Sequence, residues 1–130
     1  MKYLLDTNVL VAMFRGRQVI RDSILKAGFE NCAVSEISLA ELYVGAFKTN
    51  YGAHIHELQF VKDHFSIVPI SRAIEKYAEL RAQLETDGIR LDNFDLLIAA
   101  TAITQGMTLV THNTKHFERI PRLNVRDWER

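Results

Sequence analysis

Five short apolar runs, held apart by longer segments with helical spacing, constrain this chain more than any other feature. The runs are Lys2 to Asp6, Asn31 to Ser35, Ser66 to Ile70, Met107 to Thr111 and Leu123 to Arg126. Between them, apolar residues recur at intervals of three and four, as in Val19, Ile20, Ile24 and Ala27, or Ile74, Tyr77, Leu80 and Leu84. That spacing predicts amphipathic helices between strands. Strands joined through helices run parallel, because a parallel pair needs a crossover connection. The expected fold class is therefore α/β: a three-layer α/β/α sandwich with a parallel central sheet.

Local signals place the elements. Thr7 or Asn8 is expected to cap a short helix from Val9 to Phe14, and Gly28 to end the helix that follows. Ser38 is expected to start a helix reaching about Lys48, and Ile55 to Phe65 a further one. Ser71 is the expected cap before Ile74, with Gly88 as its stop. Asp92 or Asn93 opens the most apolar helix, which Gly106 ends, and Asn113 to Glu118 reads as one short helical turn. With 130 residues and no linker or repeat, residues 1–130 read as one domain. No apolar stretch approaches the roughly 20 residues that a membrane-spanning helix needs. The lone Cys32 is expected to be a small buried apolar residue and points to a reducing, cytoplasmic setting. Sixteen basic residues balance sixteen acidic ones, which argues against a chain that holds nucleic acid by charge alone.

Parallel sheets bind ligands beyond the carboxyl ends of their strands. Asp6 ends the first strand, Glu41 is expected in the first turn of the helix after the second, and Asp95 lies early in the helix before the fourth. Asn113 follows the fourth strand. Each has a local role available: Asp6 an Asx turn, Ser38 and Glu41 a capping box, Asp95 the positive end of its helix, Asn113 a helix cap. Together they describe a cluster of like charge. Two carboxylates about 4 Å apart repel by roughly 4 kcal/mol at an effective dielectric of 20. Protons or a cation must offset that, and oxygen ligands without nearby thiol or imidazole suit Mg²⁺ or Mn²⁺.

The blocks around these acids, Leu4-Leu5-Asp6-Thr7-Asn8-Val9-Leu10, Ser35 to Leu42 with Gly45 one turn on, Phe94 to Ala100, and Leu109 to Phe117 leading into Ile120-Pro121 and Asp127-Trp128, resemble the PIN-domain ribonucleases. Within them they resemble the VapC-type toxins of toxin–antitoxin pairs. The resemblance covers nearly the whole chain. It implies a parallel sheet with acids gathered at one end, and Mg²⁺- or Mn²⁺-dependent endonucleolytic cleavage of RNA. It places Asp6, Glu41 and Asp95 on the family's acidic positions and Asn113 on the fourth, where members carry aspartate or asparagine. On this reading Asp6 and Asp95 are expected to hold the metal, Glu41 to orient or deprotonate the attacking water or complete the metal shell, and Asn113 to hydrogen-bond a water or phosphate oxygen. Ser38 or Thr7 would hold the carboxylates. It also implies a cognate antitoxin protein that blocks the site, an RNA substrate and a homodimer.

Other features carry less. His112 and His116 have the spacing of two ligands on one helical face, but no cysteine pair or HExxH pattern accompanies them, and they read as surface residues. His112 near the cleft could touch RNA. Arg15, Arg17 and Arg21 could form a basic rim. Asp92 is expected as a helix cap. Ile37 to Phe47 is expected to be mainly core, with the remainder a groove or dimer surface. A phosphatase of the haloacid dehalogenase type also places an aspartate after its first strand, but it needs an acid two residues on, where this chain has Asn8. An inactive PIN-like module that binds RNA or protein is the alternative from a different class.

Overall fold

The computed structural model describes residues 2–129. Its strands are β1 (Tyr3–Leu5), β2 (Cys32–Ser35), β3 (Ser66–Val68), β4 (Thr108–Val110) and β5 (Val125–Arg126). Its α-helices are α1 (Thr7–Phe14), α2 (Gln18–Ala27), α3 (Glu36–Lys48), α4 (Tyr51–His64), α5 (Ile74–Thr86), α6 (Asn93–Gln105) and α7 (Thr114–Phe117). The strands form one sheet in the order β3-β2-β1-β4-β5, and every pairing is parallel. The chain runs outward from β1 to β3, then returns to the other side of β1 for β4. The carboxyl end of β1 is thus the point where the strand order reverses.

Strand alternation builds two cores. Leu4, Ala33 and Leu109 face one side, with Leu80, Leu84, Leu96 and Ile98 of α5 and α6. Leu5, Val34 and Val110 face the other, with Val9, Leu10, Ile20, Ile24 and Val61 of α1, α2 and α4. Adjacent residues of one strand enter opposite cores because side chains alternate across a sheet. All six of these strand residues are fully buried, as expected for a sheet covered on both faces. The three-layer sandwich is the architecture expected from the alternating runs. Cys32 is fully buried as expected, and burial pushes its thiol up to about 11. Among the described residues no helix is long and apolar enough to cross a membrane.

The caps differ from expectation in instructive ways. Asp6, not Thr7 or Asn8, caps α1: its side chain accepts from the Thr7 amide at 2.8 Å. Ser35, not Ser38, caps α3, with its hydroxyl accepting from the Ile37 amide. The helix starts earlier because a strand-end serine can turn the chain as soon as the ladder stops. Glu41 therefore lies in the second turn rather than the first, and the Ser38–Glu41 capping box does not form. Asn50 caps α4, several residues before Ile55. Ser71 makes no side-chain cap; it enters a 3₁₀ turn over Ser71–Ala73 ahead of α5. Asp92 caps α6 as expected, accepting from the Phe94 amide, and Gly106 ends that helix at φ 66°, a left-handed conformation that suits glycine.

Candidate functional site

Asp6 leaves the ladder at the end of β1 and becomes the first cap of α1. Its own amide donates to the Val110 carbonyl of β4 at 2.9 Å, so it is pinned between two central strands. Its side chain is only 5% exposed. Both carboxylate oxygens are occupied: Oδ1 by the Thr7 amide at 2.8 Å and Oδ2 by the Thr111 hydroxyl at 2.8 Å. Burial raises its pKa, and those two hydrogen bonds pull in the other direction.

Glu41 reaches the same end of the sheet from α3. Its Oε1 lies 2.7 Å from Thr7 Oγ1, which is also 3.0 Å from Ser38 Oγ. An ionised carboxylate only accepts, so the single Thr7 proton goes to Glu41 and Ser38 donates to Thr7. Thr7 thus joins the helix capped by Asp6 to the helix that carries Glu41. Burial raises the pKa of Glu41, the Thr7 bond opposes this, and the charges of Asp6 and Asp92 raise it further.

Asp95 sits in the first turn of α6 with its side chain one-quarter exposed. Burial, then the charge of Asp6, then smaller contributions from Asp92 and Glu41 push its pKa up to about 6, against a pull downward from His116. His116 Nδ1 stands 3.3 Å from Asp95 Oδ2. The structure therefore brings Asp6, Glu41 and Asp95 into electrostatic contact, with Asp92 at the edge. Asn113 is tied to this cluster through its backbone: its amide donates to Thr111 Oγ1 at 3.1 Å. Its side chain makes no cap bond to α7.

The donor set consists of carboxylate oxygens that repel one another, which fits a hard divalent cation. Among the described residues, no three His, Cys, Asp or Glu side chains form a group able to hold a metal ion on their own. Mg²⁺ does not require such a cage, since it usually keeps several waters and takes one or two carboxylates together with substrate phosphate. The donors fit that mode of binding.

Concave surface flanks the cluster on two sides. One cleft of about 290 Å³ is lined by Thr7, Val11, Phe14, Arg15, Glu41 and Leu42 among others. A second hollow of about 500 Å³ is lined by Arg81, Arg90, Asp92 and His116 with their neighbours. Of the three arginines expected at a basic rim, only Arg15 lines the cleft. Arg17 pairs with Glu129 at 2.8 Å, and Arg21 donates to the Met13 carbonyl. Within Ile37 to Phe47, Leu39 and Leu42 pack against the core, while Val44 and Phe47 stay 52% and 70% exposed. His112 and His116 do not share a helical face, because His112 precedes α7. His112 Nε2 lies 3.8 Å from Glu129, and His116 turns to Asp95.

Sequence reasoning did not see the partners that the structure gives these acids, Thr111 beside Asp6 and His116 beside Asp95. The proximity of His116 to Asp95 arises only when α7 folds beside the start of α6. Thr111 could have been found from its place: a hydroxyl at the end of β4, one strand over from Asp6.

Known proteins resemble this chain in sequence and in fold. A PIN domain family model matches residues 3–123. Ribonuclease VapC2 of Rickettsia felis is 36% identical over 134 residues, spanning 100% of both chains. Ribonuclease VapC2 of Haemophilus influenzae is 31% identical over 132 residues, spanning 98% of each. The chain also superposes on the crystal structure of VapBC2 from Rickettsia felis bound to a promoter DNA fragment. There the TM-score is 0.89 at 34% identity, over 98% of this chain and 99% of that one.

Proposed function

The chain belongs to the PIN-domain family, and from that premise we propose that it is a divalent-metal-dependent endoribonuclease, the toxin half of a VapBC-type pair acting in the cytoplasm. The observation that carries the reading is the convergence of Asp6, Glu41 and Asp95 at the point where the strand order reverses. Relatives named as ribonucleases over their full length support it.

Asp6 and Asp95 would hold Mg²⁺ or Mn²⁺, with Glu41 beside them. A divalent ion bound there supplies activation of water and neutralisation of charge on phosphate. Glu41 has one oxygen held by Thr7, which leaves the other free to orient the attacking water or take its proton. Water then adds to phosphorus, the ester bond to the leaving sugar oxygen breaks, and that oxygen takes up a proton. Asn113 is a neutral donor at the fourth position. It can hydrogen-bond a phosphate oxygen without adding to the repulsion among the acids.

The antitoxin occupies the cleft that opens onto Glu41, where an inserted segment would exclude RNA. A homodimer would cover exposed apolar surface such as Val44 and Phe47.

Purified, partner-free protein is incubated with total RNA in Mg²⁺, in Mn²⁺ and in EDTA, beside Asp95→Asn. Discrete fragments that need metal and vanish in the variant are expected. No cleavage by the folded protein, together with no uptake of either ion, overturns the reading in favour of a PIN-like binding module.

A further inference from the structure

We propose that Thr111 and Asn8 act together as positioning residues that aim the Asp6 carboxylate at the cation, an inference that rests on the nuclease reading above. Proton counting sets the direction of each bond in their cluster. Thr111 is fully buried. Its Oγ1 has three polar neighbours: Asp6 Oδ2 at 2.8 Å, the Asn113 amide at 3.1 Å and Asn8 Nδ2 at 3.3 Å. The Asn113 amide can only donate. The Asn8 side chain is oriented from its other end, because Oδ1 accepts from the His112 amide at 3.3 Å. The NH₂ group of Asn8 must then point to Thr111 and donate as well.

A hydroxyl has two lone pairs and one proton. Both lone pairs of Thr111 are taken by Asn113 and Asn8, so its proton goes to Asp6 Oδ2. An alternative rotor would place the hydroxyl hydrogen against one of two N–H groups. Asp6 Oδ1 is held by the Thr7 amide. The carboxylate is thereby fixed at both oxygens by two single-proton donors. Each oxygen keeps a lone pair, since a carboxylate offers about four acceptor positions. The remaining lone pairs are the ones available to an ion. The same hydroxyl holds the backbone of Asn113, so the first and fourth positions of the site share one anchor. Asn8 acts one bond further out, by keeping the Thr111 proton directed at Asp6.

Groups that orient a metal ligand commonly change ion affinity or activity by about 10–100-fold when removed. The test compares wild type with Thr111→Val, Thr111→Ser and Asn8→Ala. Mn²⁺ binding by calorimetry is read beside thermal melting, and kcat is separated from KM on one RNA fragment. Thr111→Ser keeps the hydroxyl and is expected within about twofold of wild type in Mn²⁺ affinity and kcat. Thr111→Val keeps the shape and is expected to lose about tenfold or more in Mn²⁺ affinity, with kcat lowered and the KM for RNA unchanged. Asn8→Ala is expected to move both quantities the same way by a smaller factor.

A folded Thr111→Val with wild-type Mn²⁺ affinity and only a lower melting temperature overturns the proposal. If Thr111→Val does not fold, Asn8→Ala decides in its place, and wild-type Mn²⁺ affinity there overturns the proposal. Wild-type protein that neither takes up Mn²⁺ nor cleaves RNA overturns the nuclease reading instead.

Discussion

Asp6 and Asp95 are both acids at one site, yet the protein treats them differently. Asp6 is buried, caps a helix, bonds through its amide to β4 and has hydrogen bonds to both oxygens. Asp95 is part of a first helical turn, one-quarter exposed, with His116 as its close partner. Hydrogen bonds to both oxygens offset part of the cost of burying Asp6, although its pKa still stands above the ordinary carboxylate value. Asp95 has His116 as its opposing partner, and the cost of placing it beside Asp6 appears as a pKa near 6. One acid serves the fold and the site together, whereas the other is kept for the site at some expense to the fold.

The sharpest way to break this comparison is to neutralise each acid. Asp6→Asn and Asp95→Asn are both expected to lower RNA cleavage by about a thousandfold or more, an effect of the size metal and electrostatic catalysis supplies. Their stabilities should diverge. Asp6→Asn turns an acceptor facing Thr111 into a donor or leaves a cap weakened, and about 1–3 kcal/mol of stability should go. Asp95→Asn removes a charge that the metal-free fold resists.

The pH dependence sharpens the same contrast. The pKa of Asp95 is raised from 3.8 to about 6 on folding. The folded state therefore holds the proton more tightly than the unfolded one, and stability falls as pH rises between those values. Metal-free wild type should lose about 1–2 kcal/mol relative to Asp95→Asn between pH 4 and pH 7, after discounting for the partial exposure of the carboxyl. Melting curves across that range check it. Equal pH profiles for the two proteins would show that Asp95 is not strained, and added Mg²⁺ should close the gap from the wild-type side.

A smaller effect separates the two serines at the start of α3. Ser35→Ala is expected to cost about 1 kcal/mol of stability through the lost cap. Ser38→Ala should act mainly on activity, through Thr7 and Glu41. Denaturant melts and cleavage rates measured on both variants test this division. The smallest effect belongs to His116→Ala. It removes a screened, half-exposed neighbour of Asp95, and cleavage should stay within about threefold.

Legibility in the sequence followed the same division. Leu4, Leu5, Val34, Leu109 and Val110 show the sheet because apolar runs between helical segments admit few arrangements. Asp6 could be placed from a strand end and Asp95 from the start of the helix before the fourth strand. Ser35 was not legible as a cap, since Ser38 has Glu41 three residues on, the pattern of a capping box, and Ser35 has no such partner. Thr111 was hidden for another reason: threonine is an ordinary strand residue, and its value as a donor depends on β4 lying beside β1. The nearness of His116 to Asp95 likewise exists only in three dimensions.

The doubled duty of Asp6 has a consequence for how such a gene can fall silent. Under the proposed function, a change at Asp6 would remove activity and weaken the fold at the junction of β1, α1 and β4, and so yield less protein. A change at Asp95 would yield an abundant, sturdier and inert copy. Under the proposed function, that copy would still engage the antitoxin and draw it away from active molecules. Two losses of function that look alike in a cleavage assay would then have opposite effects in a cell that carries both forms.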